Sequence, residues 1–274
     1  MPRGTSGAVS TLLVATVAVA AAAAGAAGGL AWRQVAQEKP SIDAVTTHGE
    51  WIKIARGTDS IRAYIAYPER KDPGPAVIVI HEVFGLTDWE PTVADRLAAN
   101  GYVAILPDLL SSKYGQSPAS PDSGRKLVAQ LEPERVTADL DATYSYLQGL
   151  KAVKKDRIGT IGFCWGGARS FNYATHNPAL RAAVVCYGAA PDSAKLATIN
   201  ASVLGVYGEE DARINAALPQ VDASMKAFKK DFGYKLYPGT GHGFLKPGRK
   251  GNDTPAVDQA WGDILAFYGK TLGK

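Results

Sequence analysis

Residues 162–167, Gly-Phe-Cys-Trp-Gly-Gly, constrain the fold of this chain more than any other stretch. They follow an apolar run at residues 158–161 and precede a segment that can be helical. Glycines two positions before and after Cys164 permit a tight strand-to-helix turn, where the backbone is strained and a Cβ would clash. Such a turn holds one side chain above the end of a parallel sheet, as in a nucleophile elbow. The alternative is a glycine-rich turn that carries a structural cysteine, and the motif alone does not separate the two interpretations.

The chain from residue 50 onward alternates apolar strands with helical segments. Residues 51–55 and 61–67 predict a hairpin around a turn at residues 57–59. Further strands are predicted at residues 75–80, 102–106, 157–163, 182–187, 202–207 and 234–237, and helices at residues 91–100, 127–150 with a break near Pro133, 214–230 and 254–272. Residues 111–123 are rich in Ser, Pro and Gly and predict a loop. Crossovers between strands imply a mostly parallel sheet of about eight strands with helices on both faces. We therefore predict one α/β domain at residues 49–274.

The N-terminal 33 residues have the composition of an export signal. Residues 8–32 are almost wholly small and apolar, with Arg3 before them and Arg33 after them. The positive start, the apolar core and the Ala-x-Ala triplets predict a cleaved signal, and hence an exported, periplasmic or secreted domain. The apolar stretch is also long enough to span a bilayer, so the alternative is an anchor in the inner membrane formed by residues 8–32. Residues 34–48 are polar and predict a linker.

Composition excludes several classes of function. The net charge of +4 comes without a basic cluster, which argues against a nucleic-acid partner. The only cysteines are Cys164 and Cys186, so the chain has no disulfide framework. No two histidines or cysteines show metal-ligand spacing, and we predict neither a metal nor a cofactor. Cys186 lies within an apolar strand and is expected in the core. The sequence does not determine the oligomeric state, and we take a monomer as the expectation.

Three side chains suited to nucleophilic catalysis follow predicted strands, where parallel sheets bind their ligands. They occur in the order Cys164, Asp211, His242, which is the chain order of an α/β-hydrolase triad. His242 would accept the thiol proton, and Asp211 would orient and stabilise the imidazolium. Glu209 and Glu210 are rivals to Asp211 for the acid. We therefore predict an α/β-hydrolase fold with a cysteine nucleophile.

A developing oxyanion requires backbone donors beside the nucleophile. The candidates are the N–H of Trp165, directly after the nucleophile, and the N–H of Val83 in the loop after the third strand. Trp165 and Phe84 could also line a substrate pocket, or they could simply pack in the core.

Together these stretches resemble the dienelactone hydrolases, a cysteine branch of the α/β-hydrolase fold. The resemblance extends over residues 50–274 and rests on residues 81–86, 102–109 and 162–167, on Asp211 and on residues 241–244. It implies hydrolysis of a small-molecule lactone such as 4-carboxymethylenebut-2-en-4-olide to maleylacetate, through a thioester acyl-enzyme on cysteine.

The resemblance also implies roles for charged residues. In the family, a glutamate at the position of Glu82 meets the resting cysteine and holds it as a neutral thiol until substrate displaces it. A nearby carboxylate disfavours a second negative charge, which fits this role. Family arginines hold the substrate carboxylate; the corresponding candidates here are Lys246, Arg249 and Arg125. Lysine offers a point charge and no bidentate fork, so a broader ester or lactone hydrolase is predicted.

Two functions of other classes compete with hydrolysis. One is a non-catalytic α/β-hydrolase-like protein that binds a ligand or partner at the cell envelope. The intact set of cysteine, acid and histidine argues against it, because a binder has no need for all three. The other is a thiol redox protein, which the absence of a C-x-x-C motif makes a poor fit.

Overall fold

The computed structural model describes residues 48–273. The predicted export signal and the linker up to residue 47 lie outside the described residues. The strands are β1 (His48–Arg56), β2 (Asp59–Tyr67), β3 (Gly74–Ile80), β4 (Val103–Pro107), β5 (Val153–Phe163), β6 (Ala182–Cys186), β7 (Ser202–Gly208) and β8 (Phe232–Tyr237). The α-helices are α1 (Trp89–Ala99), α2 (Ser111–Tyr114), α3 (Pro121–Val128), α4 (Pro133–Gly149), α5 (Trp165–His176), α6 (Ala212–Asn215), α7 (Leu218–Ala227) and α8 (Pro255–Thr271), and a 3-10 helix spans Ser193–Thr198.

All eight described strands form one sheet in the order β1-β2-β4-β3-β5-β6-β7-β8. The β1–β2 and β2–β4 pairs are antiparallel, and every later pair is parallel. The antiparallel β1–β2 pair is a hairpin, as expected, and Gly57 adopts φ 58° in its turn. This arrangement confirms the predicted α/β-hydrolase fold with a mostly parallel sheet.

The continuous apolar runs became the central strands because a sheet covered on both faces buries every side chain. All residues of β3, β4 and β6 are buried. Helix α8 is anchored to this core by the Tyr268 hydroxyl, which donates to the Thr160 carbonyl at 2.8 Å. Burying one large aliphatic side chain stabilises a fold by about 1.5–3 kcal/mol, so these strands dominate the stability of the domain.

Prolines mark where several helices begin. The predicted break near Pro133 is confirmed, because one helix ends at Val128 and α4 begins at Pro133. Part of the predicted loop at residues 111–123 is helical: α2 lies within it, and α3 begins at Pro121 with Ser120 as its N-cap, accepting from the Ser123 N–H at 3.4 Å. The helix predicted over residues 214–230 is likewise divided into α6 and α7.

None of the helices within residues 48–273 combines the length and the apolar character that a membrane crossing requires.

The carboxyl ends of β3, β5, β7 and β8 meet at one edge of the sheet, and the segments that follow them carry the candidate residues.

Candidate active site

The turn between β5 and α5 has the geometry of a nucleophile elbow. Cys164 adopts φ 56° and ψ −113°, a strained conformation for a residue with a side chain. Its N–H donates to the Cys186 carbonyl at 3.0 Å, which ties the turn to β6. A Cβ on Gly162 would lie 1.9 Å from the Gly166 carbonyl oxygen, and a Cβ on Gly166 would lie 2.3 Å from that of His81. Glycine at both positions therefore permits the close approach of strand, helix and the loop after β3.

Asp211 and His242 are brought together by β7 and β8. His242 Nδ1 lies 2.5 Å from Asp211 Oδ2, and the Asp211 side chain is only 6% exposed. The two rival acids lie elsewhere. Glu210 pairs with Lys250 on the surface, and Glu209 accepts a hydrogen bond from the Gly239 N–H at 3.3 Å. Asp211 is therefore the carboxylate that orients this imidazole.

The surroundings of His242 favour its protonated form. The Cys164 side chain, followed by Asp211, raises the pKa of His242 above its ordinary value of 6.5, while burial opposes the shift. Because Nδ1 faces Asp211, Nε2 is the ring nitrogen available to the sulfur. Tyr187 packs edge-on against the imidazole, with the ring centroids 5.1 Å apart. Asp211 and His242 therefore lie together at the sheet edge where the elbow presents Cys164.

The Glu82 carboxylate is paired with Lys246. Lys246 Nζ donates to Glu82 Oε2 at 2.8 Å, and the two side chains are 18% and 3% exposed. The resemblance had led us to expect Glu82 against the resting thiol and Lys246 on the substrate. In this structure the two side chains are hydrogen-bond partners, and the two roles stay predictions.

The three basic residues that were candidates for substrate binding all lie around the ring of Phe84. The ring centroid lies 5.1 Å from the guanidinium carbon of Arg125, 5.4 Å from Lys246 Nζ and 5.9 Å from the guanidinium carbon of Arg249. Cations are attracted to the face of an aromatic ring at such distances. The rim of the site beside Glu82 is therefore electropositive, although α3, the segment after β8 and the loop after β3 are far apart in sequence.

His81 joins the two loops that carry the candidate oxyanion donors, Val83 and Trp165. It is fully buried, and its Nδ1 donates to the Glu82 carbonyl at 2.8 Å while its Nε2 accepts from the Leu109 N–H at 3.3 Å. These partners require the neutral imidazole with the proton on Nδ1. The His81 ring also stacks on Trp165, with 5.5 Å between the centroids. Sequence reasoning had assigned His81 no role, although its place directly after β3 was a usable signal.

Two further buried carboxylates hold the loop after β3. Glu90 accepts from the Thr87 N–H at 2.8 Å and from the Thr87 hydroxyl at 2.6 Å. Asp108 accepts from the N–H and the hydroxyl of Ser117 at 2.7 and 2.6 Å. The Ser117 hydroxyl in turn accepts from the Leu86 N–H at 2.9 Å. These bonds make the loop that carries Val83 a rigid part of the site.

The second cysteine and the metal-binding side chains remain to be considered. Cys186 is fully buried, and burial raises the pKa of its thiol, so it is an inert part of the core. Within the part of the chain that the structure describes, no group of three or more His, Cys, Asp or Glu side chains is arranged to hold a metal ion.

Known proteins resemble this chain over most of its length. Relatives from Methylorubrum extorquens and Saccharolobus solfataricus, both named "Putative carboxymethylenebutenolidase", are each 32% identical to this chain. The first alignment covers 79% of this chain and 79% of the relative, and the second covers 76% and 93%. The crystal structure of a "Putative Dienelactone Hydrolase" from Klebsiella pneumoniae superposes with a TM-score of 0.74 at 28% identity, covering 82% of this chain and 99% of its own.

The sequence profile of the dienelactone hydrolase family matches residues 61–272, which include the elbow, the Glu82 loop and the acid and histidine turns. The chain therefore belongs to the dienelactone hydrolase family.

Proposed function

We propose that this protein hydrolyses carboxylic esters or lactones with Cys164 as the nucleophile. The observation that carries the proposal is the pairing of His242 with the buried carboxylate of Asp211 at 2.5 Å, at the sheet edge where the elbow presents Cys164. Membership of the dienelactone hydrolase family, and the carboxymethylenebutenolidase name of the relatives, support an ester or lactone bond as the target.

The acylation step begins when His242 Nε2 accepts the proton of the Cys164 thiol. The thiolate then attacks the carbonyl carbon, and the carbonyl π electrons move onto oxygen. The N–H groups of Trp165 and Val83 would receive this oxyanion. The intermediate collapses with loss of the alkoxide, which takes the proton from the His242 imidazolium. The products are an alcohol and a thioester; in a lactone, the alcohol remains attached to the acyl chain.

Deacylation repeats the same steps with water as the nucleophile. His242 removes a proton from the water as the water attacks the thioester, and it returns that proton to the departing sulfur. The acid leaves and the thiol is restored. Asp211 stabilises the imidazolium in both halves of the reaction.

Glu82 would restrain the thiol between turnovers. A buried carboxylate beside a thiol disfavours formation of the thiolate, because two negative charges would then share a site of low polarity. Lys246 neutralises that carboxylate in the present arrangement, so its hold on Glu82 would set how strongly the thiol is restrained. A substrate carboxylate that attracts Lys246, Arg249 or Arg125 would compete for the same charge.

The test is a hydrolysis screen of lactones and aryl esters with purified enzyme. We expect Cys164→Ala and His242→Ala to lower turnover by a factor of roughly 10⁴, as when other triads lose a member. Cys186→Ala is the matched control, since it removes the other thiol and should leave turnover unchanged. Mass spectrometry should trap an acyl adduct on Cys164 with a slowly deacylated ester. Turnover that survives Cys164→Ala would refute the covalent mechanism, and tight binding without turnover would favour a non-catalytic binding protein.

We further propose that the domain acts outside the cytoplasm, because residues 8–32 have the composition of an export signal. N-terminal sequencing of the protein recovered from a cell-envelope fraction tests this. A cleaved N-terminus supports a signal peptide, an intact one in the membrane fraction supports an anchor, and an intact one in the cytosol contradicts both.

A further inference from the structure

A cavity of about 600 Å³ lies beside the β1–β2 hairpin, and residues from the segments after β3 and β8 also line it. Phe84, Trp89 and Lys246 form one group of lining residues, which we call the inner end: Lys246 Nζ lies 5.4 and 5.2 Å from the two ring centroids. Trp51 and Arg62 form the group that we call the outer end. The inner end adjoins the candidate site through Lys246, which donates to Glu82. Pockets of roughly 300–1,000 Å³ hold drug-sized ligands, so the cavity has room for far more than a single lactone ring.

Arg62 provides the outer end with a positive charge. Its guanidinium carbon lies 3.5 Å from the ring centroid of Trp51. Arg62 pairs with Lys53 across the hairpin, two positions along β1 from Trp51, so the side chains of Arg62 and Trp51 share one face of the sheet. Trp51 itself is 45% exposed, which is unusual for a large aromatic side chain.

The polar edge of this guanidinium is unused by the protein. Among residues 48–273, no carboxylate lies within 4.0 Å of the Arg62 side chain and no acceptor forms a hydrogen bond with it. Asp88 also lines the cavity, but it is exposed and makes no ion pair with Arg62. Lys246, by contrast, is already neutralised by Glu82. Stacking on Trp51 holds the guanidinium plane and leaves its N–H edge free for a planar, bidentate partner.

We propose that Arg62 and Trp51 form a remote subsite that binds a carboxylate at the far end of an extended substrate. The inference rests on the proposed ester hydrolysis and narrows its substrate class to esters with a chain that ends in a carboxylate away from the scissile bond. Phe84 and Trp89 provide apolar walls for the part of the substrate between the scissile bond and the carboxylate.

The test uses two series of esters with increasing chain length. In one, p-nitrophenyl half-esters of dicarboxylic acids from adipate to sebacate place the carboxylate on the acyl group. In the other, acetate esters of ω-hydroxy acids place it on the leaving alcohol. Each compound is compared with its neutral methyl-capped form. We expect one series to show an optimum length at which kcat/KM exceeds that of the capped form about tenfold or more.

Arg62→Gln should remove that preference. Losing a charge-assisted hydrogen bond should lower kcat/KM of the variant for the carboxylate-ended ester by about ten- to a hundredfold. For the capped ester, kcat/KM of the variant should stay within about twofold of the wild-type value. Arg62→Lys should retain part of the preference, since it keeps the charge without the fork. Arg181→Gln is the matched control, because Arg181 is an exposed arginine at the amino end of β6 and lies outside the cavity.

The outcomes separate this inference from the proposed function. Turnover of both forms with equal efficiency in both series, unchanged by Arg62→Gln, would overturn the subsite and leave ester hydrolysis intact. If no ester is hydrolysed, the proposed function fails. Calorimetric titration with azelate then decides the subsite: weaker binding to Arg62→Gln than to wild type supports it, and equal or absent binding overturns it.

Discussion

The pair formed by Glu82 and Lys246 allows a prediction whose size can be worked from the structure. Lys246→Met keeps much of the apolar stem and removes the ammonium that donates to Glu82 Oε2 at 2.8 Å. Glu82 is 3% exposed, so water cannot take over the lost interaction without rearrangement of the loop. The substitution therefore leaves a buried, uncompensated negative charge.

The expected loss of stability follows from this burial. Removing one partner of a buried ion pair costs about 3–5 kcal/mol, and the residual 18% exposure of Lys246 places this pair at the lower end, at about 3 kcal/mol. For a domain of this size, that loss lowers the melting temperature by about 6–12 °C. Replacing both partners, in Glu82→Gln with Lys246→Met, removes the stranded charge and should recover most of the loss.

Urea unfolding of the wild type, both single variants and the double variant gives a double-mutant cycle for the pair. The matched control is the pair of Lys250 and Glu210, whose side chains are 66% and 43% exposed. Breaking that surface pair should change the unfolding free energy by about 0–1 kcal/mol. A coupling between Glu82 and Lys246 no larger than in the control would refute the view that burial makes this pair strong.

Three further predictions concern the triad. Asp211→Asn should lower kcat by a factor of roughly 10³–10⁴, because the amide favours the wrong tautomer of His242. The control variant Glu210→Gln should change kcat less than about twofold. Equal effects of the two substitutions in steady-state assays would contradict the choice of Asp211 as the acid. Since the pKa of His242 is raised above 6.5, protonated His242 stabilises the fold fully below that pH, and this contribution disappears as the pH rises through the raised pKa. The difference in unfolding free energy between wild type and His242→Gln should therefore shrink as the pH rises above 6.5, and a constant difference would argue against the shift. Glu82→Gln should speed alkylation of Cys164 by iodoacetamide near neutral pH, and an unchanged rate measured by mass spectrometry would remove the restraint model.

Much of the fold was predictable because its signals are local. Apolar runs mark the central strands, and the glycines around Cys164 mark a turn that no larger residues could make at their positions. The break near Pro133 was predictable as well, because proline begins α4 and cannot continue a preceding helix. Helix boundaries were less predictable elsewhere, since the loop predicted at residues 111–123 contains α2 and the start of α3.

The choice among neighbouring acids needed the tertiary structure. Glu209, Glu210 and Asp211 are consecutive, and composition cannot say which of them faces a histidine that follows another strand. The backbone after β7 places Asp211 beside His242 and directs Glu210 to Lys250. The geometry of one turn decides the matter.

The sequence by itself determined the parallel sheet, the elbow and the order of the three triad candidates, because each depends on residues that are close together in the chain or on the strand they follow. Only the tertiary structure decided which charges meet. Glu82 and Lys246 are 164 residues apart, and their pairing arises from the packing of two loops at one sheet edge. The same holds for Arg62, because its proposed role depends on the contact with Trp51 and on the cavity that both residues line. Electrostatic interactions act over a few ångströms in space, and distance along the chain does not reveal them.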